Sequence, residues 1–157
     1  MDVATRRVHI AGTTTNPPSE WMEQIARNVT DCDTGFLRHK KFLITDRDAV
    51  FSPRFKSILG CSGVEVLRTA YKAPNMNAHA ERFVRSIRSE CLDQMIFVGR
   101  ASLERAIAEY AAHYHDERSH QGLGNEIVSR APVQRVGGIE ASERLGGLLK
   151  YYHRRAA

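Results

Sequence analysis

Two carboxylates stand where this sequence could do chemistry. Asp46 follows the apolar run KKFLIT at residues 40–45, which reads as a buried strand, and Glu81 lies near the start of a long helical pattern. Strand ends in α/β sheets are where sites are commonly built. The 34 residues between them, 47 to 80, do not force the two together, but a helix and a strand in that interval would return the chain to the same sheet edge. Carboxylates meeting there would suit Mg²⁺ or Mn²⁺, hard cations that prefer oxygen ligands. A pair of such metals can activate a hydroxyl and stabilise the leaving oxygen in phosphoryl transfer. The competing reading makes Asp46 and Asp48 turn and cap residues ahead of Ser52-Pro53.

The helix that carries Glu81 has its own logic. At about 100° per residue, Glu81, Arg85 and Arg88 share one face. Ala80, Val84, Ile87 and Cys91 form a neighbouring apolar stripe, widened by Phe83 and Met95. A carboxylate flanked by guanidiniums suits holding a cation while gripping a polyanion. The bland alternative is an amphipathic surface helix whose charges pair at i,i+4.

Other elements must position these residues. Residues 7–15 (RVHIAGTTT) alternate and are β-branched, so a strand is expected, stopped by Asn16-Pro17-Pro18. Ser19 is placed to cap a helix in which Trp21, Met22, Ile25, Ala26 and Val29 form the apolar stripe. Ser52-Pro53 opens a short helix with Phe55, Ile58 and Leu59 inward, and residues 64–69 alternate as another strand. Leu103, Ala106, Ile107, Tyr110, Ala111 and Tyr114 mark a second long helix, whose outer face (Glu104, Arg105, Glu109, Asp116, Glu117) is read as better suited to solvent or a partner than to phosphate. The stretch from Ala141 is read as a short helix ending in a basic tail, Lys150, His153, Arg154 and Arg155. Alternating strands and helices predict an α/β layered domain, with a sheet that three strands leave thin.

The chain has 157 residues, enough for one domain with a real core, and its net charge of +5 makes an anionic partner plausible, nucleic acid first. No apolar run reaches membrane-spanning length, so no membrane partner is expected. The opening MDVATRRVHI lacks the apolar core of a signal peptide, which points to the cytoplasm. Cys32, Cys61 and Cys91 stand far apart and are expected to be small buried hydrophobes. His113, His115 and His120 have offsets that give no metal geometry and are assigned structural or solvent roles.

Four segments, in order, carry a resemblance. TDRDAVF at residues 45–51 resembles the segment around the second catalytic aspartate of retroviral-type integrases and bacterial insertion-sequence transposases. NAHAERFVRSIRSECLD at residues 77–93 resembles the helix that bears their catalytic glutamate. HYHDERSHQGLGN at residues 113–125 is similar to the segment that closes many transposase cores, and VATRRVHIAGTTTNP at residues 3–17 resembles their second strand and the turn after it.

The resemblance implies an α/β, ribonuclease H-like mixed sheet flanked by helices, and a metal-dependent polynucleotidyl transferase that nicks DNA and joins it to a target. Asp46 and Glu81 carry over as catalytic, metal-binding carboxylates served by Mg²⁺ or Mn²⁺. Asn75 and Asn77 match the loop before the glutamate, and with Arg82, Arg85 and Arg88 are the expected DNA contacts. The family's first catalytic aspartate lies on a first strand upstream of the matched segments, and Asp2 does not match it. The expectation is therefore an integrase-type core over residues 1–125, truncated at its N-terminus with the first strand missing, and a C-terminal extension over 126–157. DNA is the expected partner, a homo-oligomer the expected assembly, and strand transfer by the chain alone weak or absent. The alternative is a non-catalytic nucleic-acid-binding or oligomerising remnant of a transposase.

Overall fold

A computed structural model describes residues 1–71, 74–129 and 136–155. The chain divides into two units, one of His9–Ala78 and one of Met1–Val8 with His79–Ala157. In the first, helix α1 (Ser19–Val29) buries Met22, Ala26 and Val29, an i, i+4, i+7 stripe. Strand β1 (Phe42–Thr45), helix α2 (Pro53–Cys61) and strand β2 (Glu65–Arg68) form a strand–helix–strand unit. β1 and β2 are parallel, Phe42 opposite Glu65 and Thr45 opposite Arg68, which a tight hairpin cannot achieve and a helical crossover can.

Local chemistry starts and stops α2. The Ser52 hydroxyl accepts from the Phe55 N–H at 3.1 Å, and Pro53 takes the first turn, where a missing N–H costs nothing. Gly63, at φ 76°, then turns the chain into β2. Phe55 and Leu59 point into a core shared with Met22, Ala26, Val29, Leu37 and Val64. Burial of each large side chain contributes about 1.5–3 kcal/mol. Trp21 packs half-buried against this core.

In the second unit, helices α3 (Ala78–Glu90) and α4 (Arg100–Asp116) bring Phe83, Ile87 and Cys91 together with Ala106, Tyr110 and Tyr114. Phe83 and Tyr114 meet edge to face, with centroids 5.0 Å apart, the geometry that ring quadrupoles favour. A small antiparallel ribbon, β3 (Ser119–His120) and β4 (Glu126–Ile127), follows α4. The chain ends in an antiparallel hairpin, β5 (Ile139–Arg144) and β6 (Leu149–Arg154), and Leu145 between them joins the α3–α4 core. Each sheet among the described residues has two strands.

Polar side chains brace this unit. The Glu117 carboxylate takes Arg144 Nε at 2.7 Å on one oxygen and His113 Nδ1 at 2.8 Å on the other. Burial alone would raise its pKa, yet Arg144 and His113 hold it below the ordinary carboxylate value. The Leu145 N–H donates to Glu109 Oε2 at 2.8 Å, and Glu90 accepts from the Tyr110 hydroxyl at 3.1 Å and from Arg118. The three histidines of residues 113–120 each make a bracing contact. Besides the His113 contact, His115 Nε2 accepts from the Val8 N–H at 2.9 Å, and His120 Nε2 donates to the Tyr114 carbonyl at 2.9 Å.

Several expectations are corrected. Residues 7–15 form no strand, because no neighbouring segment offers them a ladder. Pro18, extended at ψ 162°, holds the N-cap position of α1, so Ser19 is helical and caps nothing. β1 is half-covered, with Phe42 55% exposed, so KKFLIT is not a fully buried run. Val84 is 51% exposed, and Phe83 rather than Val84 carries the buried stripe of α3. Cys32 and Cys61 are exposed, and of the three cysteines Cys91 is the buried one. Glu109 and Glu117 point inward to bonded partners instead of forming a solvent face. The stretch from Ala141 is a β-hairpin, in which Leu149, Tyr151 and His153 alternate with the exposed Lys150, Tyr152 and Arg154.

Candidate functional site

Asp46 stands at the carboxyl end of β1, the edge where a parallel pair leaves room for ligands. It is exposed, and its Oδ1 accepts from the Asp48 N–H at 3.0 Å. Asp48 repeats the pattern with the Val50 N–H at 3.0 Å. Both aspartates thus make the local turn bonds that aspartate favours. Arg47 ties this edge together by donating from Nε to the Thr69 carbonyl at 3.1 Å, beside the Thr69 N–H to Thr45 carbonyl bond at 2.9 Å. Asn75 and Asn77 lie in the 3₁₀ turn Pro74–Asn77, Asn75 exposed and Asn77 half-buried.

Glu81 sits in the first turn of α3, where the helix dipole favours a carboxylate, and it is exposed. Arg82, Arg85 and Arg88 are exposed as well. None of these four side chains makes an ion pair among the described residues, so the i,i+4 pairing that a bland surface helix would use is not made. Other arginines do pair: Arg54 with Glu23, Arg100 with Glu104, Arg144 with Glu117. The α3 guanidiniums differ in making no such pair among the described residues.

The helix sorts its charges onto two sides. Taking Glu81 as the origin, Arg85 lies about 40° around the axis and Arg88 about 20° to the other side, whereas Arg82 lies about 100° away. Arg82 instead lines a cavity together with His79, Phe83 and Ser86. That grouping was missed in the sequence, although His79, Arg82 and Ser86 stand at i, i+3 and i+7.

The two predicted carboxylates belong to different units, Asp46 to His9–Ala78 and Glu81 to the other. Among the described residues, no group of three or more His, Cys, Asp or Glu side chains is placed to hold a metal ion. No helix among the described residues is long and apolar enough to cross a membrane.

Comparison with known proteins places part of the chain. A curated relative, the "Insertion element IS476 uncharacterized 39.2 kDa protein" of Xanthomonas euvesicatoria, is 30% identical over 90 residues, which are 57% of this chain and 26% of that protein. The match thus spans about a quarter of the relative's length. No solved structure matches. Residues 62–126, which hold Glu81 and all of α3 and α4 but not Asp46, match the integrase core domain family, so the resemblance seen in the sequence stands over that stretch.

Proposed function

We propose that this chain acts in DNA integration or transposition, as an insertion-element transposase core segment that grips DNA. The observation that carries the reading is the α3 face of Glu81, Arg85 and Arg88, exposed and without ion pairs among the described residues, inside the stretch that matches the integrase core domain family. Unpaired guanidiniums one helical turn apart suit successive phosphates, which supply affinity without reading sequence. Asn75 and Asn77, with Arg82, extend the DNA contact in this reading, and Asp46 and Glu81 are its catalytic carboxylates for Mg²⁺ or Mn²⁺. The ribonuclease H-like sheet, the core over residues 1–125 with its extension over 126–157, and a homo-oligomeric assembly belong to the same proposal.

The second reading, a non-catalytic DNA-binding chain, is favoured by the lack of a three-carboxylate group among the described residues. Fluorescence anisotropy with a labelled duplex tests the shared claim. Micromolar or tighter binding is expected, weakened at least tenfold in Arg85→Gln/Arg88→Gln, and no binding at low salt would sink both readings. A manganese-dependent nick made by the chain alone, and abolished in Glu81→Gln, would decide for the catalytic reading.

A further inference from the structure

The cavity beside α3 encloses about 320 Å³, at the low end of the range used by small-ligand sites. It lies wholly within the Met1–Val8 and His79–Ala157 unit. Its charge is one-sided: Arg6, Arg82 and Arg118 line it, and among the described residues no Asp or Glu does. Arg118 is partly neutralised by its bond to Glu90, and Arg6 donates to the Val3 carbonyl, while Arg82 makes no ion pair among the described residues. The field is felt nearby, since His79 is lowered by desolvation and then by the Arg6 and Arg82 guanidiniums.

The rest of the lining is aromatic and hydroxylic. Phe83 and Tyr114 are 7% and 6% exposed, so their rings form the floor, while His79 and Arg82 are exposed at the mouth. His120 stands edge-on to Tyr114 with centroids 4.5 Å apart, and its bond to the Tyr114 carbonyl fixes the ring. Ser86 and Ser119 add hydroxyls. Guanidiniums above a floor of fixed rings match a ligand that is anionic at one end and flat and aromatic at the other. Phosphate alone would leave the rings unused, and an apolar ligand would leave the cations unused.

We infer that this cavity binds a nucleotide, its phosphate between Arg6 and Arg82 and its base against Tyr114 and His120. Base stacking on aromatic side chains and phosphate contacts to arginine are how single-stranded nucleic acid is commonly held. Two sources share this chemistry, a free mononucleotide and an unpaired nucleotide of a DNA strand. The second source rests on the DNA reading above, and the cavity chemistry itself does not.

The test is isothermal titration of the full chain with thymidine 5′-monophosphate, thymidine, inorganic phosphate, and oligothymidine with and without a 5′-phosphate. The monophosphate is expected to bind at least tenfold more tightly than either thymidine or phosphate. Arg82→Gln should weaken it about tenfold. Gly122→Asp should do the same, since a Cβ at Gly122 meets nothing within 4 Å and the fold can accept a carboxylate in the lining. Arg105→Gln, an exposed cation on α4, controls for net charge and should change binding less than twofold. Oligothymidine binding tighter than the monophosphate, and weakened by the same two variants, assigns the ligand to a DNA strand; weaker oligothymidine binding assigns it to a free nucleotide. A monophosphate no better than phosphate, or binding indifferent to both lining variants, would overturn the inference. Duplex affinity is measured separately: duplex binding without mononucleotide binding sinks the cavity alone, and the reverse sinks the DNA reading alone.

Discussion

The Glu117 carboxylate offers a direct measure of what holds the second unit together. Its oxygens are shared between Arg144, at 2.7 Å from Nε and 2.6 Å from Nη2, and His113 Nδ1 at 2.8 Å. The Glu117 side chain is 9% exposed and that of Arg144 31%, so the pair is neither a screened surface contact nor fully dry. Exposed pairs contribute about 0.2–1 kcal/mol and hydrogen bonds to charged groups about 1.5–3 kcal/mol, which puts the coupling here near ~2 kcal/mol. A double-mutant cycle of Glu117→Gln and Arg144→Met, read by urea unfolding and circular dichroism, should return that value. Glu117→Gln alone should lower Tm by about 4–8 °C for a chain of this size. The sign with pH is fixed. A carboxyl lowered in the folded state contributes stability above its ordinary pKa and loses it as pH falls through the lowered value. The coupling should therefore be full at neutral pH and shrink in acid. A cycle below about 0.5 kcal/mol, or one that is flat with pH, would refute the bracing role.

Three further outcomes are expected. Duplex affinity in Arg85→Gln/Arg88→Gln should fall less steeply with salt, the slope of log K against log salt shrinking by about 1.8; over about 50 to 200 mM salt that is roughly twelvefold less sensitivity. Ser52→Ala should cost about 1 kcal/mol by leaving the Phe55 N–H at the start of α2 unmet, and an unchanged urea midpoint would remove the cap from the account. Cys32 and Cys61 are exposed, whereas Cys91 is fully buried and burial pushes its thiol up. A thiol reagent at neutral pH should titrate two groups quickly and the third only on unfolding.

Much of the fold was legible because helix periodicity and strand length speak locally. Met22, Ala26 and Val29 in α1, Phe55 and Leu59 in α2, and Ala106, Tyr110 and Tyr114 in α4 all went where their spacing sent them. Residues 7–15 misled because alternation says which side chains would share a face and not whether another strand is there to pair with. The terminal hairpin was read as a helix, yet a signal lay in the sequence. Gly146-Gly147 interrupts two alternating runs, and Leu145, Gly146 and Gly147 all take positive φ, at 54°, 66° and 92°. At the site, the Glu81–Arg85–Arg88 face was visible from spacing alone. The cavity was not, because it draws on Arg6, Arg82 and Arg118, which only tertiary structure brings together.

α3 serves three directions at once: Phe83 and Ile87 to the core, Glu81, Arg85 and Arg88 outward, His79, Arg82 and Ser86 to the cavity. Such a helix tolerates exchange of residue types far better than any change in their number. One residue inserted after Phe83 would turn everything downstream by about 100°. It would carry Ser86 toward the place of Ile87 and swing Arg85 toward the cavity, scrambling all three roles in a single step. Over these thirteen residues the chain is held to its length more strictly than to its letters.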